Sequence, residues 1–458
     1  MNIQKLLILS LLAPFSMYAS VASEAVSPKE IRIELSSKSR LSPIYITKIL
    51  KENTPLSDSY LEELEKHVLF NFSYNGKTQI VPKTAQKESS LANENYKSYL
   101  NTVVWKSFNI PYLIRLSAQD RSLTASVYDG CNYKLKVVPN VPLSGNLIED
   151  KKQMNRLSDA IFKLLFDSSG ITNTRILYSC QKESVDGSGH NISEIWECDW
   201  DGSNARPITR ENAFCVTPVL IPKEESFKKD LFLYVSYKTG QPKILISPLK
   251  GGQGKKAVDI RGNQLLPAIA RQRDKIAFIC DATGRADLFV QSLDPESGKM
   301  GTPTQIFSYP RSTQASPTFN ADGSQIAFVS DKDGSAKIYV IPSKRGDKRA
   351  EPRLISKKNK ENSCPCWSPD GTKLAYSAKT NDVRQIWIYD FSTGEEYQLT
   401  HGEGHKENPC WAPNSLHMIF NSTDGTSSDL YLVNLNQPEA LKITKGPGKK
   451  HYPNWGTR

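Results

Sequence analysis

Beyond residue 170 the chain is written in short apolar bursts separated by turn residues. The clearest is Pro365-Cys366-Trp367-Ser368-Pro369-Asp370-Gly371-Thr372-Lys373-Leu374-Ala375-Tyr376-Ser377, which reads as strand, turn, strand. In the turn, proline presets φ, aspartate bonds the backbone ahead of it, and glycine takes the positive φ. Leu374 and Tyr376 alternate with Lys373 and Ala375, as the two faces of a strand do. Ile386-Trp387-Ile388-Tyr389 predicts a third strand, and Leu399 sits near the end of a weaker fourth. The unit recurs at Ser316-Pro317 through Ser330 with Ile338-Tyr339-Val340, and at Asn408-Pro409-Cys410-Trp411 with Met418-Ile419-Phe420 and Leu430-Tyr431-Leu432. More worn copies start at Leu266-Pro267 and Thr217-Pro218. The marker prolines are 218, 267, 317, 365, 409 and 453, a period of 44 to 50 residues. Four short strands at such a period predict a β-propeller.

The two ends of the array set the blade count. His451-Tyr452-Pro453-Asn454-Trp455-Gly456 is an inner strand with no second strand after it. Arg175-Ile176-Leu177-Tyr178-Ser179-Cys180 and Glu194-Ile195-Trp196-Glu197-Cys198 are strands with no inner strand before them. Each half-blade alone would leave an unpaired edge. Joined, they make a sixth blade, with the carboxyl-terminal strand sealing blade one.

The earlier part has a different texture. Residues 1–23 carry Lys5, an apolar run from Leu6 to Phe15 and small residues at Ala19-Ser20-Val21-Ala22-Ser23, the pattern of a secretory signal peptide. No cysteine follows the expected cleavage point, so no lipid anchor is expected there, and no later run is long enough to span a membrane. Residues 24–166 predict an α/β (α+β-like) domain: a strand at Glu30–Leu35, helices over Ser57–Phe70, Leu91–Phe108 and Asn155–Phe166, and strands at Tyr112–Leu116, Leu123–Tyr128 and Tyr133–Val137. Ser57 is the expected cap of the first helix. Ser168-Ser169-Gly170 reads as a linker, and residues 167–458 as the ring.

Composition adds less. The net charge is +11, but the lysines and arginines fall in loops, with no nucleic-acid reading motif or aromatic platform, so nucleic acid is not an expected partner. Eight cysteines permit disulfides, and Cys180 with Cys198, in one blade, is a candidate pair. Cys364-Pro365-Cys366 lacks a second ligand pair for a metal; alternation sets both thiols on one side of their strand, as small side chains near the axis. There is no Gly-x-Ser-x-Gly nucleophile elbow and no Gly-x-x-x-x-Gly-Lys phosphate loop. His401-Gly402-Glu403-Gly404-His405 is the one dense histidine cluster, on a loop with two glycines. No cofactor or metal is expected. The alternative is an exported PD40-type enzyme, a lyase or peptidase relative, with His401 and His405 at the ring mouth.

The Ser-Pro-Asp-Gly cassette resembles the WD40-like or PD40 repeat. The order of signal peptide, small α/β domain and six blades closed by Pro-Asn-Trp-Gly resembles the TolB family, periplasmic propellers of the bacterial Tol–Pal system. Asp159-Ala160-Ile161-Phe162-Lys163-Leu164 leading to Gly170-Ile171, Asp199-Trp200-Asp201-Gly202, and Trp105 through Ile114 are similar to that family's junction, first-blade turn and helix-to-strand step. The resemblance implies a monomeric, non-enzymatic periplasmic scaffold. It would bind the Pal lipoprotein and a TolA-like inner-membrane protein, and support outer-membrane integrity and constriction at division. It assigns an amino-terminal arm, with Ile31, Ile33 and Leu35 as anchors, to the Tol partner. It assigns the loops before each marker proline to Pal: Asn263, Leu265, Leu266, Arg311, Gln314, Ala315, Asn362, Ser363, Lys406, Glu407, Asn408 and His451. At blade three the chain has Asn263-Gln264-Leu265-Leu266-Pro267 where the family pattern is His/Asn-Gly-Ala-Pro.

Overall fold

The structure, a computed structural model, describes residues 41–92, 107–132, 134–182, 192–223, 230–294, 300–348 and 350–458. The signal-peptide stretch, the Glu30–Leu35 strand with its anchors Ile31, Ile33 and Leu35, and most of the Leu91–Phe108 helix lie outside them. The leading domain runs β1 (Ser42–Glu52), α1 (Asp58–Ser73), β2 (Thr78–Ile80), α2 (Ala85–Ala92), β3 (Tyr112–Gln119), β4 (Ser122–Asp129), β5 (Lys134–Pro142) and α3 (Leu147–Phe166). Its sheet has the order β2-β1-β3-β4-β5. β1 is parallel to β2 and β3, and β3, β4 and β5 form an antiparallel meander. The core gathers Ile44, Ile46, Leu64, Val68, Leu116, Leu123, Leu157 and Ile161 between sheet and helices.

α1 starts where its pattern predicts, with Ser57 Oγ accepting from the amide of Tyr60 at 3.3 Å. β2 and α2 have no counterpart among the expected elements, and two longer elements differ from expectation. β1 was hidden because Ile44 and Tyr45 are both fully buried, so a central strand shows no alternation. α3 begins eight residues before Asn155, capped by Asn146, whose side chain accepts from Ile148 and Glu149. After Leu147 and Ile148 its first turns are polar from Glu149 to Gln153, with Asp150 the buried residue, so no continuous apolar stripe announces them.

Six four-stranded sheets follow, one per blade. Blade one is Lys449–Thr457, Thr174–Lys182, Ile192–Asp199 and Arg206–Pro207, closed as expected by the carboxyl-terminal strand. The inner strands of blades two to six are Cys215–Leu220, Gln264–Ile269, Gln314–Phe319, Asn362–Trp367 and His405–Trp411. Second strands are buried on both faces. Leu374 and Tyr376 pack toward Ala327 and Val329 of blade four, while Ala375 packs toward Trp411, Met418 and Phe420 of blade six. Alternation there sorts one neighbouring blade from the other, not core from solvent.

The expected Cys180–Cys198 pair does not form. Register sets Cys180 opposite Glu194 and Cys198 opposite Ile176, so the thiols sit near opposite ends of the pairing. All eight cysteines are free.

The leading domain is fastened to blades one and six by the end of α1. A helix end leaves carbonyls without partners. Here His417 Nε2 meets the carbonyl of Tyr74 at 2.9 Å, Asn436 Nδ2 donates to that of Gly76 at 2.6 Å, and Gln437 Nε2 to that of Ser73 at 3.3 Å. Phe70 packs on Trp200 with ring centroids 5.4 Å apart. Asp159 holds the linker by accepting from the amides of Thr172 and Asn173 and from Thr172 Oγ1. Trp200, His417, Asn436 and Gln437 lie in or next to turns at one end of the blades. The loops that precede the inner strands open at the other end.

Candidate functional site at the ring mouth

The residue before every marker proline has a left-handed backbone. Thr217, Leu266, Ser316, Cys364, Asn408 and Tyr452 have φ of 49, 50, 46, 50, 52 and 52°. At each of these positions the register slips against the second strand, a bulge repeated around the ring. A bulge re-aims side chains and ends regular pairing. Six of them at one level build a collar around the axis. Inside it lies a cavity of 250 Å³, lined by collar residues and the marker prolines. The bulge also breaks the alternation expected for Cys364 and Cys366: Cys364 takes the left-handed position on the collar and Cys366 follows the bulge.

One position further from the axis has a different duty. The residue three before each marker proline is buried: Cys215, Gln264, Gln314, Asn362, Lys406 and Lys450. Most of them donate to carbonyls of the incoming loop. Gln264 Nε2 reaches Ile260 at 2.8 Å, Asn362 Nδ2 reaches Asn359 at 3.0 Å, Lys406 Nζ reaches Gly402 at 2.8 Å, and Lys450 Nζ reaches Gly446 at 2.5 Å. Gln314 bonds Ser312 Oγ at 3.0 Å. Burial pulls the Lys406 amine below its ordinary value. Three of the residues expected at the docking surface, Gln314, Asn362 and Lys406, are therefore loop anchors turned into the wall. The signal in the sequence is a polar or small residue three before each marker proline, repeating every 44 to 50 residues.

The other expected residues do ring the mouth. Leu265, Leu266 and Ala315, all partly exposed, form an apolar arc over blades three and four. Ser363, Glu407, Asn408 and His451 form a polar arc over blades five, six and one. Arg384 organises that arc, with Nε 3.4 Å from Glu407 Oε1 and Nη1 donating to Ser363 Oγ at 3.3 Å. Asn408 Nδ2 donates to Asn421 Oδ1 at 2.7 Å. Asn263 is held by Asp281 through its amide and its side chain, at 2.6 and 2.7 Å. Arg311 is exposed at the rim. Burial pushes the His451 imidazole down and the Tyr452 hydroxyl up. Arg384, Tyr452 and Ser316 also belong to this surface; Ser316 and Tyr452 stand in the repeat cassette beside their marker prolines, whereas Arg384 lies on the third strand, where no repeat motif names it.

His401 and His405 are not brought to one point. His401 Nδ1 faces Gln398 Nε2 at 3.1 Å, whereas His405 Nδ1 accepts from the amide of Arg384 at 3.2 Å. Among the described residues no three His, Cys, Asp or Glu side chains gather as a metal site. The mouth is a ring of mixed apolar and polar side chains.

A family model described as the TolB beta propeller domain matches residues 162–458. A protein of Protochlamydia amoebophila (strain UWE25), named Protein TolB homolog, is 46% identical over 401 residues, covering 87% of this chain and 84% of that one. A protein of the same name from Chlamydia abortus is 32% identical over 390 residues, covering 85% and 84%. The crystal structure of TolB from Acinetobacter baumannii matches with a TM-score of 0.72 at 18% identity, covering 92% of this chain and 97% of that one, a likeness of fold.

Proposed function

The chain belongs to the TolB family, and from that premise we propose that it is a non-enzymatic periplasmic scaffold whose ring mouth docks the Pal lipoprotein. The amino-terminal arm, with Ile31, Ile33 and Leu35, engages a TolA-like inner-membrane protein, and the two contacts together support outer-membrane integrity and envelope constriction. The observation that carries the reading is the bulged collar: it holds an apolar arc beside a polar one on the face away from the leading domain. A partner loop gains apolar burial on Leu265, Leu266 and Ala315 and hydrogen bonds on Ser363, Asn408 and the Arg384–Glu407 pair. No helix among the described residues is long and apolar enough to cross a membrane.

The test is calorimetric titration of the mature protein with soluble Pal. Leu265→Asp combined with Ala315→Asp should weaken binding at least about tenfold, roughly 1.4 kcal/mol. Lys348→Glu, on a loop at the other end of the blades, should bind as the parent does. Equal affinity for all three would remove the mouth as the docking face.

A further inference from the structure

The side chain after a marker proline reaches one blade onward around the ring. Thr318 Oγ1 accepts from the amide of Trp367 at 3.3 Å, Cys410 Sγ from that of Trp455 at 3.3 Å, and Asn454 Oδ1 from that of Leu220 at 2.8 Å. Between blades five and six the same position is Cys366. It packs against the buried cluster that holds Cys410; the Cys366 thiol reaches the carbonyl of Trp367 at 3.9 Å and that of Cys410 the carbonyl of Trp411 at 3.7 Å. Trp411 Nε1 donates back to the carbonyl of Cys366 at 3.1 Å, which fixes the seam. The repeat geometry thus sets two cysteines at equivalent positions of neighbouring inner strands, both on the wall of the axial cavity.

We propose that Cys366 and Cys410 are a redox-modification site, a dithiol that a small-molecule or protein disulfide converts to a disulfide across the seam of blades five and six. The two thiols are not equivalent. The hydrogen bond from Cys410 holds the Cys366 thiol below its ordinary value, and the same contact with burial pushes Cys410 up. Cys366 is also the one partly exposed on the cavity, while Cys410 is buried. Cys366 therefore attacks first, because the thiolate is the nucleophile in such exchange. It bonds one sulfur of the oxidant and expels the other as a thiolate. Cys410 loses its proton and attacks Cys366 Sγ, which breaks the mixed disulfide and expels the second thiolate. One oxidant disulfide becomes two thiols, and two protein thiols become one disulfide. The new bond joins inner strands that otherwise meet only through side chains and single hydrogen bonds.

The test uses the whole mature protein in oxidised and reduced glutathione, quenched with acid, denatured, alkylated and mapped by peptide mass spectrometry. A linked Cys366–Cys410 peptide should appear as the ratio is made oxidising. Cys410→Ser should instead hold glutathione on Cys366, a trapped intermediate that a merely structural thiol would not give. Both cysteines fully alkylated in buffers that glutathionylate the exposed Cys131 would overturn the proposal, as would linkage of Cys366 to Cys364. Should Cys410→Ser fail to fold, the parent's peptide map alone decides.

Discussion

Thr217 illustrates what the collar asks of single residues. A β-branched side chain at φ 49° is strained, and its hydroxyl is buried without a hydrogen-bond partner among the described residues. Thr217→Asn suits the left-handed region better and should stabilise the ring by about 1 kcal/mol, read from denaturant unfolding. The loop anchors act in the opposite sense. Lys406→Met keeps the apolar stem but strips donors from the carbonyls of Gly402 and Glu403. It should cost about 1–3 kcal/mol and lower the thermal midpoint. Gly202 sits at φ 80°, and a methyl there would overlap the carbonyl oxygen of Ile443. Gly202→Ala should destabilise by more than about 2 kcal/mol in the same assay. These roles were partly legible. The Asp-Gly turns are written in residue types, whereas a left-handed residue before proline is specified by the bulge and carries no consistent side chain.

At the scale of elements, the end of α1 is completed by blade six. His417 is fully buried against the Tyr74 carbonyl, and burial pushes its imidazole down to about 4. The folded protein keeps this histidine neutral, while the unfolded chain takes up a proton below about pH 6.5. Stability is therefore full above pH 6.5 and is lost as pH falls toward 4, by up to about 3 kcal/mol from this group. His67 and His451 shift the same way by burial, and Asp159, raised by burial, opposes them at the acid end. His417→Gln should flatten the pH 4–6.5 slope of the unfolding free energy. An unchanged slope would show that the seam does not titrate through His417. α1 was readable from its cap and apolar face. Its fastening was not, because the contacts join residues hundreds of positions apart and follow from tertiary packing alone.

For the whole molecule, six-fold repetition made the ring legible: each blade restates the period, so worn copies such as that at Pro218 are recovered from their neighbours. Which loops ring the mouth followed from loop order, but which side chains face outward did not, since Gln314, Asn362 and Lys406 are as polar as any surface residue. The closing strand has a consequence in time. Trp455 pairs with Ile176, and Lys449 with Gln181, so blade one is finished by a strand made after every other strand of the ring. Until then the strand Thr174–Lys182 presents a bare edge, and the blades after it are links in an open string. Removing residues 449–457 should leave that string permanently, with a broadened unfolding transition and light scattering from edge-to-edge association. The ring therefore closes in one step and not blade by blade, because the strand Lys449–Thr457 is a clasp that joins its two ends.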